Sequence, residues 1–135
     1  MRIVHDQDAG VREWASPRLA DVDSSGPTLG VMDQATGDIV AAIVFYDYRG
    51  HDISVGCVAD TPRWAHRGAF RAIAQYVFGQ LNCRRMTLRT AEGNQRARRM
   101  VEWLGFVQEG RHMHGMADGS ATITYGMLRE DCRWL

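Results

Sequence analysis

Apolar and polar positions alternate along much of the first sixty residues and then change to a helical period. Arg2 to Val4 predicts a short first strand. Between Asp8 and Ala15, residues Val11, Trp14 and Ala15 fall at i, i+3 and i+4, the stripe of a helix that Ser16-Pro17 ends. Asp21 to Pro27 reads as a polar loop. Thr28 to Met32 and Asp38 to Tyr46 are β-rich runs joined by the hairpin signal Gln34-Ala35-Thr36-Gly37. After Asp47-Tyr48-Arg49-Gly50, the run Ile53 to Val58 completes three antiparallel strands in succession.

From Gly68 to Leu81, residues Phe70, Ile73, Val77 and Leu81 share one helical stripe, with Ala74 and Tyr76 beside it. Arg84 to Thr90 alternates Met86 and Leu88 with Arg85, Thr87 and Arg89, the period of a strand. Asn94 to Leu104 sets Ala97, Met100, Val101 and Leu104 on a second amphipathic helix, and Gly105 supplies its C-terminal stop. Phe106 to Met113 and Ser120 to Leu128 predict a final hairpin around Ala117-Asp118-Gly119. The order is strands, then helix–strand–helix, then two strands, with no repeat, linker or low-complexity segment.

A chain of 135 residues forms one domain with a real core. No apolar run approaches the roughly 20 residues that span a bilayer, and Met1 to Asp6 lacks a signal-peptide apolar region. A cytoplasmic location is the expectation. Cys57, Cys83 and Cys132 are odd in number and far apart, which indicates neither a disulfide framework nor a zinc site.

Net charge is zero, yet its distribution is uneven. Met1 to Asp60 holds ten acids and four arginines, whereas Thr61 to Val101 holds nine arginines and one acid, Glu92. All sixteen basic residues are arginine; a GC-rich coding sequence explains that most simply. A basic middle third in a neutral protein points to a localised anionic ligand. General nucleic-acid binding, which comes with a high overall pI, is disfavoured.

Two stretches carry candidate chemistry. Arg63-Trp64-Ala65-His66-Arg67-Gly68-Ala69-Phe70 is a positively charged turn leading into a helix start, where unpaired amides and the helix dipole favour an anion. Thirty residues on, Asn94 opens the second helix as a natural N-cap. Arg96, Arg98 and Arg99 lie on its polar side. Together these suggest a site for a phosphate-bearing cofactor.

The run Asn94-x-x-Ala97…Leu104-Gly105-Phe106…Glu109-Gly110 resembles the second cofactor motif of the GNAT N-acetyltransferases. Ile53 through Leu81 resembles their first, and the element order matches nearly the whole chain. The tail from Tyr125 to Leu135 resembles the end of small GNAT-like proteins of bacteriophages and prophages. The resemblance implies an α/β domain (α+β in layer terms), a mixed and mostly antiparallel twisted sheet with helices on both faces. It implies acetyl-CoA as acyl donor, held between the Ile53–Val58 and Arg84–Thr90 strands.

In the family the phosphate turn reads Gln/Arg-x-x-Gly-x-Gly/Ala. Arg63 and Gly68 fit, His66 stands where the first glycine belongs, and Arg67 and Arg71 are placed to contact phosphate. The resemblance assigns the pyrophosphate to Arg63, His66, Arg67, Gly68 and Ala69. It assigns the pantetheine arm to Cys57, Val58, Asn94 and Ala97, with one strand amide serving the oxyanion. The Tyr that many members place seven residues after the motif Asn is here Val101. Trp64 is a packing residue placed to cover the cofactor.

For proton transfer the candidates are His51, Asp52 and Ser54 near the third strand, and Tyr125 on the last, where core packing is the competing role. His51 has the suitable unperturbed pKa. His112 and His114 share a strand face, but no third ligand completes a metal site, and none is expected. The expected partner is an amine-bearing acceptor. Asp6, Asp8, Glu13, Asp21 and Asp23 favour a cationic one. Neither membrane nor nucleic acid is expected, and an exposed final strand would allow a homodimer by edge pairing. A CoA-binding module without turnover is the alternative reading.

Overall fold

The computed structural model describes residues 1–5, 10–19 and 26–135. Much of the predicted polar loop, together with Asp6, Asp8, Asp21 and Asp23, lies outside the described residues. The strands are β1 (Arg2–His5), β2 (Thr28–Met32), β3 (Ile39–Tyr46), β4 (Asp52–Ala59), β5 (Arg85–Ala91), β6 (Val107–His112) and β7 (Thr122–Leu128). They form one sheet in the order β1-β2-β3-β4-β5-β7-β6. Only β4 and β5 pair in parallel, as the helical connection between them requires. The helices are α1 (Val11–Ala15), α2 (Arg67–Ala74) and α3 (Gln95–Leu104).

Side chains alternate across the pleat, so each face of the sheet has its own core. On one face Leu29, Ile43, Phe45, Val55, Met86, Tyr125 and Met127 pack with Phe70, Ala74, Val77 and Phe78 of α2 and its continuation, and with Val101 and Leu104 of α3. On the other, Val4, Ala42 and Val44 pack with Val11 and Ala15 of α1. Gly30 sits under α1, where a Cβ would stand 2.6 Å from Val11 Cγ2 and 2.9 Å from Val4 Cγ2. A methyl there forces the helix off the sheet.

The predicted helix from Gly68 to Leu81 is found as α2 followed by a π-helical turn over Gln75–Gln80. The N–H of Leu81 bonds the carbonyl of Tyr76 at 2.9 Å, closing that wider turn. The deeply buried stripe is Phe70, Ala74, Val77 and Phe78, while Ile73 and Leu81 are only partly covered. Gly105 ends α3 with φ 109°, a conformation that favours glycine.

Two expectations are corrected. The final strand is not an exposed edge: β7 lies between β5 and β6, and the edge on that side is β6. His112 and His114 do not share a strand face, because β6 ends at His112 and His114 occupies a turn with φ 56°. The His112 ring is bonded to Thr124 at 3.3 Å.

Tyr125 is fully buried. Arg98 Nε donates to its hydroxyl at 3.1 Å, and the hydroxyl donates to Glu102 Oε1 at 3.3 Å. Arg98 also donates to the Glu92 carbonyl and to Gln108 Oε1, tying α3 to the strands beside it. Tyr125→Phe leaves these groups short of one partner. The variant should lose about 1–2 kcal/mol of stability in urea unfolding.

Candidate active site

The parallel ladder between β4 and β5 is short. It registers Asp52 with Arg85, Ile53 with Met86, Ser54 with Thr87 and Val55 with Leu88, and then ends. Beyond it β4 stays paired to β3 as far as Ala59, and β5 stays paired to β7 as far as Ala91. Each strand follows its outer neighbour, so the two part. Their facing edges bound a cleft of about 550 Å³, walled by Cys57 and Val58 on one side, Leu88 and Arg89 on the other, and Asn94, Ala97, Met100 and Val101 of the α3 end. Backbone amides that lose a strand partner need another acceptor.

The α3 start lines this cleft, and the α2 start stands beside it, joined to its wall through Ala65. Asn94 caps α3, its Oδ1 accepting from Ala97 N at 3.2 Å. His66 caps α2 with ordinary extended backbone, φ −123° and ψ 164°, so a non-glycine residue is unstrained there. Its Nδ1 accepts from Ala69 N at 3.3 Å. That bond places the proton of the neutral ring on Nε2, which is buried and has no partner among the described residues. Burial first, and then the nearby Met1 ammonium, hold the imidazole below its usual pKa. The first-turn amides of Arg67 and Gly68 have no intrahelical acceptor.

The arginines divide into two sets. Arg63 lies 3.9 Å from Asp33 and turns away from the cleft. Arg67 and Arg71 have no ion-pair partner among the described residues. They line a hollow of about 380 Å³ beside Ala65, which belongs to both the hollow and the cleft. Phe70, Trp103 and Trp134 form the aromatic part of its wall, with the Arg133 guanidinium stacked 5.0 Å and 4.7 Å from the two tryptophan ring centres. Trp64 is buried, edge-on to Phe70, and lines the cleft. Arg96 reaches the cleft, whereas Arg98 is committed to Tyr125.

Cys57 is the one sulfur in the cleft wall outside Met100. Burial pushes its thiol up to about 12, so at neutral pH it carries no thiolate and is a poor acyl acceptor.

Asp52 begins β4 at its paired end, roughly 16 Å along the strand from Cys57 at about 3.3 Å per residue, and His51 precedes it at roughly 20 Å. The His51 side chain is exposed, and its carbonyl accepts from the amides of Arg84 and Arg85. Asp52 accepts from Thr87 Oγ1 at 2.9 Å and lies 3.7 Å from Arg85 Nε. Arg85 also grips Glu109 across Gly126, where any Cβ would collide with both side chains. On this same face, Arg89 Nη1 donates to Ser54 Oγ at 3.1 Å. A polar strip therefore runs from Arg89 and Ser54, at the cleft apex, through Thr87 to Asp52. The Arg89 contact and the Arg133–Trp103–Trp134 hollow were not visible in the sequence, because neither has a motif or a spacing of its own.

Among the described residues no cluster of three or more His, Cys, Asp or Glu is placed to hold a metal. No helix among them is long and apolar enough to cross a membrane.

A family model described as an acetyltransferase (GNAT) domain matches residues 2–107. Comparison with curated proteins finds no match. Among solved structures, a ribosomal-protein-S5-alanine acetyltransferase from Vibrio fischeri superposes with a TM-score of 0.73 at 15% identity, over 98% of this chain and 93% of that one. A spermidine N-acetyltransferase from Vibrio cholerae gives 0.68 at 17% identity, over 91% and 75%. An acetyltransferase of the GNAT family from Bacillus anthracis gives 0.62 at 23%, over 76% of this chain but only 66% of that one. At these identities the structural likeness is one of fold. The sequence match over residues 2–107 adds descent, and the chain belongs to the GNAT acetyltransferase family.

Proposed function

We propose that the protein moves the acetyl group of acetyl-CoA to a primary amine by direct attack, with both substrates bound together. The observation that carries this reading is the parting of β4 and β5 after Val55 and Leu88, beside two capped helix starts. The α2 start, with Arg67 and Arg71, suits a pyrophosphate. The open strand edges at Cys57 and Val58 suit an amide-bearing arm, and one of their N–H groups stabilises the oxyanion. Asn94 has its carboxamide NH₂ free of any described partner, which suits the same arm.

In the reaction the amine nitrogen bonds to the carbonyl carbon, the C–S bond breaks, and CoA leaves as thiolate. One proton of the incoming ammonium passes to Asp52 through water and the polar strip of Ser54 and Thr87, and the second, shed by nitrogen as the amide forms, goes to the departing thiolate. No side chain replaces the missing Tyr at Val101. A thiol with a pKa near 8.5 leaves well without an acid, and such assistance is worth only about 10²–10⁴-fold. The three free thiols fit a cytoplasmic setting. Glu13 of α1, in a neighbouring hollow, and Arg89 at the apex offer both charges to an incoming acceptor.

Calorimetric titration should give micromolar binding of acetyl-CoA, about −8 kcal/mol, and no binding of acetyl-CoA or CoA would overturn the reading. Asn94→Ser keeps a capping oxygen but loses the amide. It should weaken acetyl-CoA about tenfold while leaving stability within about 0.5 kcal/mol. Asp52→Asn should lower kcat by about 10²-fold or more with acetyl-CoA affinity intact, whereas His51→Gln should leave kcat within about twofold. Because the folded state holds His66 below its unfolded pKa near 6.5, the unfolded state binds more protons in acid. The melting temperature of the wild type should therefore fall, relative to His66→Asn, as pH drops through 6.5; parallel pH curves would contradict this.

A further inference from the structure

Behind the cleft lies a separate cavity of about 50 Å³, several times the roughly 10–15 Å³ that one water needs. Its wall is almost wholly apolar, so it offers water no set of hydrogen-bond partners and stays dry. Val55, Cys57, Trp64, Leu88, Met100 and Val101 line both spaces. The cavity therefore adjoins the cleft along the wall that ends in Val55 and Leu88, the last registered pair before the strands part. Ile73 of α2 and Cys132 of the tail close its far side without lining the cleft. Met86, Met100 and Met127 also border it, and methionine side chains adapt to the shape of an apolar guest.

We propose that this cavity is an acyl-chain pocket, and that the protein accepts donors with acyl groups of three or four carbons in preference to acetyl. The proposal rests on the reading that the cleft holds an acyl-CoA. A thioester at the apex has its carbonyl toward the open strand edge and its alkyl group toward Val55 and Leu88, where the dry cavity begins. An acetyl methyl stops at that wall, and two further methylenes extend into space that no protein atom fills. Val101 matters twice here, since it leaves out a proton donor and keeps the shared wall narrow and apolar. The bonds made and broken are those of acetyl transfer: the amine takes the longer acyl group, and the same thiolate leaves.

The test is calorimetric titration of the intact protein with CoA, acetyl-CoA, propionyl-CoA and butyryl-CoA. Affinity should rise about fourfold for each added methylene buried. Ile73→Phe and Cys132→Leu fill the cavity from its far side, one from α2 and one from the tail. Each should abolish that rise while leaving the acetyl-CoA Kd within about twofold, a result that also reports an intact fold. Equal or weaker binding of the longer esters to the wild type would overturn the pocket and leave the acetyl-CoA reading standing. Failure of all four ligands to bind would overturn both. If a variant fails to fold, the wild-type series alone decides.

Discussion

The structure turns on one incomplete ladder. Four registered positions join β4 to β5, and past them each strand is held by its outer neighbour instead. Main-chain donors and acceptors left facing each other across a gap must be satisfied by something else. A ligand with alternating amides meets that need as a strand would. The rest of the fold keeps the gap from closing. Row by row, Phe45, Val55, Leu88 and Tyr125 register across β3, β4, β5 and β7, and that row lies at the apex. The clasp of Arg98 on Tyr125 and Glu92 holds α3 over the same region.

Charge is arranged around that gap with a division of labour. Arginines that stabilise the fold are paired: Arg85 with Glu109 and Asp52, Arg98 with Tyr125 and Gln108, Arg111 with Glu92. Arg67 at the α2 start, and Arg71 one turn further on, have no such partner among the described residues. Unpaired guanidinium groups beside first-turn amides make a field that favours an anion. The neutral His66 spends Nδ1 on capping Ala69 N, and its Nε2 is buried away from solvent. A histidine at this position thus caps the helix from an ordinary extended backbone.

The strands and the two long helical segments were legible in the sequence, because alternation and a 3.6-residue period report burial on one face. The order of the last strands was not. Nothing local to Thr122–Leu128 says that it enters between β5 and β6; the register of Leu88 with Tyr125 is a property of the sheet. The π turn at Gln75–Gln80 was equally silent, because its residues are ordinary helix formers. At the site, motif position singled out Asn94 and the Cys57–Val58 edge, which line the cleft, and also His66, Arg67, Gly68 and Ala69, which do not. Arg63 was read toward the ligand; it is largely exposed, lies 3.9 Å from Asp33 and does not line the cleft, a placement that no local pattern encodes. Tyr125 was a proton-transfer candidate with packing as the competing role; its burial between Arg98 and Glu102 favours packing.

The claim that the parted strands are a ligand's binding edge is tested most directly by amide hydrogen exchange, with and without saturating CoA. The account predicts added protection at residues 56–59 of β4, at 65–69 around the α2 start and at 94–97, with little change at β1 and β6. Protection confined to other segments, or none at saturation, would contradict it.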